Sequence, residues 1–247
     1  MDRQMGVDVG GSGIKGAIVE MATGDLVTER FRIDTPQPST PQSVAAVICD
    51  IVAMAQWDGP VGCAIPSVVT NGVVRTAANI DHAWIGTDGC AVIGDALGQP
   101  ITLMNDADAA GLAEMRFGVG AGHTEVVLLL TFGTGIGSAL FVGGDLVPNT
   151  ELGHLQMWGD SAEERASAAA RKREDLTWEE WVVRVNEYLR YVEDLFWPDL
   201  IIVGGGISKK QDKWVPLLET RAEVMTAELR NNAGIAGAAL HCAAVFS

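Results

Sequence analysis

"MGVDVGGSGIKGAIVE", residues 5–20, is the stretch that decides the fold. Gly11, Gly13 and Gly16 stand at the G-x-G-x-x-G spacing of a dinucleotide-binding turn. In a Rossmann unit such glycines open a helix whose N-terminus binds the pyrophosphate. Here they are followed by β-branched residues, by the turn signal ATGD, and by LVTERFRI, whose apolar residues alternate with period two. The stretch therefore predicts a strand, a glycine turn and a second strand, and it disfavours an NAD site.

A similar pattern occurs once more, in the second half of the chain. VDVGGSGIKGAIV (residues 7–19) and LTFGTGIGSALFV (residues 130–142) both have the pattern of a strand, a glycine turn and a strand. Each turn would offer backbone N–H groups to a phosphate. The weak repeat predicts two similar lobes that face one cleft.

The charge of the chain limits its partners. The 247 residues include 17 Lys and Arg against 32 Asp and Glu, a net charge of −15. So acidic a protein stays soluble and avoids nucleic acid unless it has a local basic patch. Eleven of the 17 cationic residues lie between residues 161 and 230, which is where a polyanion would have to bind.

The cysteines and the apolar segments predict a cytoplasmic protein that does not interact with membranes. The four cysteines form no C-x-x-C motif and have no zinc spacing, so we expect reduced thiols, and we expect no signal peptide. The uncharged run Val126–Gly144 is long enough to cross a bilayer. Its five glycines and its β-branched segments instead favour two buried strands around a loop.

Turn and cap signals divide the rest of the chain into short elements. Thr40 or Ser43 is expected to cap the first helix, and TNGVV to form an Asn-Gly hairpin. The expected helices are 41–57, 89–98, one starting in NDADAAGLAEMRFG, 161–174, 177–197 and 233–244. Further strands are expected in GPVGCAIPSVV (residues 59–69), at 101–104, 126–131 and 137–142, and in DLIIVGGGIS.

Four segments together resemble one family of proteins. DVGGSGIKG, NDADAAGLAE, TFGTGIGSALFVGGDL and ELGHL, with IIVGGGIS near the end, resemble the ROK family of bacterial sugar kinases and repressors. The resemblance implies an α/β, actin-like ATPase or hexokinase-type fold, in which a ribonuclease H-like sheet is duplicated in two lobes around a cleft. We expect a smaller lobe of residues 1–110, on which a helix of about 233–247 packs back, and a larger lobe of residues 111–232.

The chain departs from the family pattern after ELGHL. Typical members have a cysteine cluster there that binds structural zinc, whereas ELGHLQMWGDSAEERASAAARKREDLTWEEW contains no cysteine. We therefore expect no zinc. The segment resembles the branch of the family that phosphorylates glucose with inorganic polyphosphate.

This resemblance implies a function with three partners. Glucose would be converted to glucose 6-phosphate, with polyphosphate or ATP as donor, Mg²⁺ as cofactor and a homodimer as the assembly. Two alternatives stay open, a strictly ATP-dependent hexokinase and a sugar-sensing regulator. The second is disfavoured because a ROK repressor carries a helix-turn-helix ahead of its kinase-like part, and this chain has four residues before its first expected strand.

A proton acceptor and a set of sugar contacts are required for this chemistry. Asp106 follows a buried strand and corresponds to the family's catalytic aspartate, although it could instead cap the helix that it begins. The family's sugar contacts correspond to Asn79, Asn105, Asp106, Glu151, His154 and Glu163. Glu164 competes with Glu163, because the missing zinc cluster loosens the correspondence there.

The phosphate side would combine both glycine turns. Its expected members are Asp8, which would assist Mg²⁺, with Gly10, Gly11, Ser12, Lys15, Gly133, Thr134 and Gly135. The triple glycine, Gly204, Gly205 and Gly206, resembles the family's nucleotide-side loop, with Ser208 capping the next helix. Arg171, Lys172 and Arg173 would line a polyphosphate track. The alternatives are a solvated Lys15, an ordinary turn at the glycines and a solvated basic helix end.

Overall fold

The computed structural model describes residues 2–246, which divide into two units. The first unit takes the chain up to Ala113 and again from Asn232, and the second is Glu114–Asn231. The strands are β1 (Arg3–Val9), β2 (Ile14–Glu20), β3 (Phe31–Ile33), β4 (Val61–Ile65), β5 (Val69–Thr70), β6 (Val73–Val74), β7 (Ile101–Asn105), β8 (Val127–Phe132), β9 (Ile136–Val142), β10 (Asp145–Val147), β11 (Gln156–Met157), β12 (Asp160–Ser161), β13 (Leu200–Gly204) and β14 (Glu223–Thr226). The α-helices are α1 (Pro41–Met54), α2 (Gly89–Leu97), α3 (Asp106–Phe117), α4 (Glu163–Ala166), α5 (Ala168–Arg173), α6 (Trp178–Phe196) and α7 (Ala233–Phe246).

The two units contain sheets of the same topology. The strand orders are β3-β2-β1-β4-β7 and β10-β9-β8-β13-β14, and in each sheet the first three strands are antiparallel and the last two extend it in parallel. This is the duplicated ribonuclease H-like arrangement of the actin-like fold, as predicted. The glycine turn after β1 leads directly into antiparallel β2, with Val9 opposite Ile14, so the Rossmann alternative is excluded.

Helices cover both faces of the first sheet. Met5 and Val7 of β1 are fully buried in the same apolar core as Ile48 and Ile51 of α1. The alternate residues of β1 face α7, because side chains of a strand point to opposite faces in turn. A Cβ on Gly6 would lie only 2.0 Å from the Ile235 carbonyl oxygen, so α7 lies directly on the backbone of the strand.

The contact between α7 and α3 is equally close and predicts a large loss of stability on substitution. A Cβ on Gly237 would lie 1.7 Å from the carbonyl oxygen of Ala109, which is backbone and has little freedom to move. We expect Gly237→Ala to lower the free energy of unfolding by about 1–3 kcal/mol, the usual cost of overpacking. Urea denaturation measures this loss. Gly86→Ala is not a clean control because Gly86 has a positive φ, whereas Gly206→Ala meets no atom within 4 Å and should cost much less.

The core of the second unit contains a cluster of aromatic side chains. Phe132, at the end of β8, contacts Trp181, Tyr188 and Trp214 edge-on, with ring centroids 5.7–6.5 Å apart. Edge-to-face pairs at this separation are favourable beyond the area that they bury. The cluster therefore fixes the end of β8, from which the second glycine turn begins.

Local signals predicted most elements correctly. Thr40 caps α1 through its Oγ1, which accepts a hydrogen bond from Ser43 N at 3.3 Å, with Pro41 in the first turn. Asn71 and Gly72 both have positive φ in the expected hairpin. The run Val126–Gly144 forms β8 and β9, and no helix within residues 2–246 is long and apolar enough to cross a membrane.

Two predicted elements are wrong in extent and a third is wrong in type. The strand expected over LVTERFRI is confined to Phe31–Ile33, because the Thr28 hydroxyl takes the hydrogen bond of Ile18 N and interrupts the ladder. The helix expected over 161–174 is broken at Ser167, whose extended backbone and Oγ cap a new helix at Ala170 N. The helix expected after the triple glycine is a 3₁₀ segment, Gly206–Lys213, with Ser208 inside it.

Candidate active site

The glycine turn of the first unit, expected to bind phosphate, lies at the end of β1. Asp8 is paired across the hairpin with Lys15, and Lys15 Nζ lies 3.2 Å from Asp8 Oδ2. Both side chains are largely buried, so Lys15 is not a solvated strand residue. Gly10 N–H donates to Gly13 O at 3.1 Å, so this amide closes the turn. A Cβ on Gly11 would be 3.6 Å from Asn79 O, which places the Asn79 segment beside the turn.

The end of β7 shows which residue caps α3. Asn105 Oδ1 accepts hydrogen bonds from Ala107 N at 2.8 Å and Asp108 N at 3.0 Å, and Asn105 Nδ2 donates to Ser67 O at 3.2 Å. Asn105 is therefore the cap, and Asp106 is the first residue of the helix. Asp106 is therefore not the residue that caps α3. The side-chain amide of Asn105 already forms hydrogen bonds within the protein.

Parallel strands bring these groups to one edge of the sheet. β1, β4 and β7 are neighbouring parallel strands, so Asp8, Ser67 and Asp106 all lie at their carboxyl ends. Ligands of open α/β sheets bind at this edge. Asp8 and Asp106 can therefore be approached from the same side of the sheet.

In the second unit, Glu151, His154 and Glu163 form a cluster. His154 Nδ1 lies 3.6 Å from Glu151 Oε2, and His154 Nε2 lies 3.5 Å from Glu163 Oε1. The three side chains are partly exposed, as groups that bind a ligand must be. Carboxylates accept and an imidazole donates or accepts, which suits a row of sugar hydroxyls.

The backbone around Glu163 is shaped for its carboxylate. Glu163 Oε2 accepts a hydrogen bond from Ile136 N at 2.9 Å. A Cβ on Gly135 would lie 2.2 Å from this oxygen, and one on Gly153 would lie 3.2 Å from it. Gly135, expected on the phosphate side, thus makes room for Glu163. Glu164 lies outside the cluster, with Oε2 3.5 Å from Arg173 Nη1.

The two glycine loops of the second unit are neighbours. β8 pairs in parallel with β13, with Thr131 opposite Gly204, so both loops follow the same sheet edge. Gly133 N–H donates to Gly135 O at 2.9 Å, which closes the turn around Thr134 as in the first unit. Gly205 has φ +86°, and a Cβ there would meet the Phe132 backbone at 2.5 Å. Gly206 is exposed with no atom near its Cβ position.

The basic run at the end of α5 is partly engaged within the unit. The Arg171 guanidinium lies 3.7 Å above the ring centroid of Trp178. Arg173 pairs with Glu164 at 3.5 Å and with Glu174 at 3.4 Å. Within residues 2–246, Lys172 forms no salt bridge and is exposed. Lys172 is therefore the member of the run best placed to bind an external anion.

The side chains available as metal ligands fit an Mg²⁺ ion that is bound mainly through the phosphates of the donor. Asp8 offers the hard oxygen ligand that Mg²⁺ prefers. Within residues 2–246 no three His, Cys, Asp or Glu side chains converge as a metal cage. The four cysteines, Cys49, Cys63, Cys90 and Cys242, all belong to the first unit, whereas ELGHL belongs to the second.

Glu151 is expected from the sequence to contact the sugar, and its pKa would then make glucose binding depend on pH. Burial raises this pKa above its ordinary value, His154 opposes the rise, and Glu163 adds to it. The ionised form accepts hydrogen bonds from hydroxyls, so KM for glucose should increase as pH falls, starting above the ordinary glutamate pKa of about 4.3. Steady-state KM measured against pH tests this, and the same acid limb in Glu151→Gln would contradict it.

Comparison with known proteins adds the family to this geometry. The family model described as ROK family matches residues 4–170. The chain belongs to the ROK family. It is 55% identical over 236 residues to a polyphosphate glucokinase of Mycobacterium tuberculosis, covering 95% of this chain and 89% of that protein. The 236 aligned residues are more of the chain than the 4–170 range of the family model, which itself includes ELGHL.

Two solved structures are similar over almost the whole chain. An inorganic polyphosphate/ATP-glucomannokinase from Arthrobacter sp. strain KM has a TM-score of 0.95 at 49% identity, covering 99% of this chain and 100% of the other. A ROK family glucokinase from Streptomyces griseus, in complex with glucose and AMPPNP, has a TM-score of 0.84 at 25% identity, covering 98% and 99%. The fold predicted from the glycine hairpins is thus confirmed.

Proposed function

We propose that this ROK protein transfers a phosphoryl group from inorganic polyphosphate, and also from ATP, to glucose, giving glucose 6-phosphate. The observation that carries the proposal is the 55% identity, over 95% of the chain, to a polyphosphate glucokinase. The geometry supports it, because one unit presents a carboxylate and a phosphate turn at its sheet edge. The other unit presents a His–carboxylate cluster suited to hydroxyls.

In the proposed mechanism, Asp106 accepts the proton of the sugar's 6-hydroxyl as that oxygen attacks the terminal phosphorus. The phosphoryl bond to the donor breaks, and the rest of the donor leaves with the electron pair. Asn105 positions Asp106 by capping α3 and by holding the Ser67 carbonyl. The cap of α3 is made by Asn105, so Asp106 is not required to cap the helix.

Glu151, His154 and Glu163 are proposed to hold the sugar. Their spacing is fixed by the Ile136 amide, which binds Glu163, and by His154 between the two carboxylates. Asn79 is proposed to contribute from the segment beside Gly11. Several polar contacts to one sugar orient its reacting hydroxyl and exclude water.

The donor is proposed to lie along the glycine turns. Asp8, Lys15 and Ser12 flank the first turn and Thr134 the second, while the Gly204–Gly206 loop would receive the nucleoside of ATP. Bound Mg²⁺ supplies neutralisation of charge on the phosphate oxygens. We further propose a cytoplasmic homodimer.

A coupled glucose 6-phosphate assay with each donor at matched phosphoryl concentration tests the proposal. We expect turnover with polyphosphate and with ATP, each requiring Mg²⁺. Turnover with ATP alone would replace the proposal by a strictly ATP-dependent glucokinase. The absence of turnover with both donors, combined with glucose binding, would indicate a sugar-sensing regulator.

The basic run predicts a salt-dependent preference for long donors. Replacing Arg171, Lys172 and Arg173 together by Gln should raise KM for long-chain polyphosphate several-fold, because contacts to its phosphates are lost, and should leave KM for glucose unchanged. Salt screens such contacts, so the salt dependence of KM for polyphosphate should also become weaker. Lys172→Gln alone should give most of the effect, since Arg171 and Arg173 have partners in the unit. Initial rates at two ionic strengths measure it, and equal KM values and salt slopes for wild type and triple variant would refute the track.

A further inference from the structure

A row of charged side chains crosses the first sheet beside the phosphate turn. Asp8 on β1 lies opposite Lys15 on β2, and Lys15 lies opposite Arg32 on β3. Directly opposed residues in antiparallel strands project from the same face. The sheet therefore aligns a carboxylate, an ammonium and a guanidinium on one face at the mouth of the turn.

The Arg32 guanidinium lies against the turn itself. Arg32 Nη2 donates to the Ser12 carbonyl at 3.1 Å. A Cβ on Gly13 would lie 2.8 Å from Arg32 Nε and from Nη2, so the absence of a side chain there lets the guanidinium lie on the backbone. Arg32 thus adds a fixed positive charge to the turn that binds phosphate in the proposed function.

The present partner of this guanidinium is weakly held. Arg32 Nη1 lies 2.7 Å from Asp34 Oδ1, but Arg32 is 48% and Asp34 83% exposed. Exposed ion pairs contribute little to stability. A phosphate offers two non-bridging oxygens to the guanidinium fork, whereas Asp34 contacts it through one oxygen, so a phosphate competes well with this exposed carboxylate.

We propose that Arg32, beside Lys15, forms a subsite for phosphates of the polyphosphate chain beyond the one transferred. Asp34 forms an ion pair with the Arg32 guanidinium when no donor is bound. ATP has three phosphates and ends in a nucleoside, whereas a polyphosphate continues with identical anionic groups that reach further along the row. The subsite rests on the proposed function and specifies where the long donor is held.

The test measures binding of sodium polyphosphate of one defined chain length by calorimetry, together with KM for polyphosphate and for ATP. Arg32→Gln should weaken polyphosphate binding several-fold and lower the slope of log affinity against log salt by about one. Its effect on ATP should be several-fold smaller. Asp34→Asn should have the opposite effect and tighten polyphosphate binding, which a misfolded variant could not do.

Matched controls lie at the other end of the same hairpin. Arg3 and Glu20 form an exposed pair at 3.6 Å, so Arg3→Gln and Glu20→Gln make the same charge changes away from the turn and should leave both affinities unchanged. Arg32→Lys should keep part of the binding, because it keeps the charge and loses the fork.

Three results would overturn the subsite. The first is an Arg32→Gln variant whose affinity for polyphosphate and salt slope equal those of the wild type. The second is an Arg32→Gln variant that loses affinity for ATP and for polyphosphate equally. The third is an Asp34→Asn variant that does not bind polyphosphate more tightly. A wild-type protein that uses ATP and fails with polyphosphate would instead refute the proposed function, so the two failures are distinguishable.

Discussion

Asp106→Asn should lower kcat by about 100-fold or more with both donors, while the affinity for glucose should be largely kept. The substitution preserves size and hydrogen bonding, but an amide cannot accept the proton of the attacking hydroxyl. Stability should not change, since α3 is capped by Asn105 and not by Asp106. Steady-state kinetics, glucose binding by calorimetry and a thermal melt measure the three quantities.

Asp88→Asn is the matched control. Asp88 also begins a helix of the first unit, and its carboxylate accepts from Ala91 N at 2.9 Å as the cap of α2. Asn caps helices as well as Asp does, so this variant should keep both stability and kcat. Near-normal turnover of Asp106→Asn would remove Asp106 from the mechanism.

His154→Ala and Glu151→Gln should each raise KM for glucose by a factor that corresponds to about 1–3 kcal/mol. If these residues hold the sugar as proposed, His154→Ala leaves a hydroxyl without its partner, and Glu151→Gln replaces one of two carboxylate acceptors by an NH2 donor. His154→Ala also removes the group between the two carboxylates, which lie 3.6 and 3.5 Å from its two nitrogens. The larger effect is therefore expected for His154.

A second His–Glu pair in the same unit provides the control. His123 Nδ1 lies 2.5 Å from Glu125 Oε1 in the loop before β8, and neither residue has a proposed role. His123→Ala should leave KM for glucose and for the donor unchanged. If His154→Ala raised KM for the donor and not for glucose, the ELGHL segment would belong to the phosphate side.

The sequence by itself determined the architecture and the family. The glycine turns could be assigned to hairpins because β-branched residues with period two follow them, and that pattern is local. Each of the motifs DVGGSGIKG, NDADAAGLAE and ELGHL is a short continuous segment, so its candidate site residues could be assigned without a structure. The fold class and the family are as predicted for these reasons.

Only the tertiary structure decided which side chains meet. The preference for Glu163 over Glu164 depends on the Ile136 amide and on His154, which lie far away in sequence. The break at Ser167 and the early end of the β2–β3 ladder depend on hydroxyls that replace backbone partners. Local propensity does not reveal such competition between side chain and backbone.

The role of Arg32 shows the same limit most clearly. Alternation in LVTERFRI predicts a strand, but it does not state which residue of β2 lies opposite Arg32. Strand register is set by packing across the sheet, and a shift of one residue would turn Arg32 to the other face. The structure pairs Arg32 with Lys15 and lays its guanidinium on Gly13, and the proposed polyphosphate subsite follows from that register.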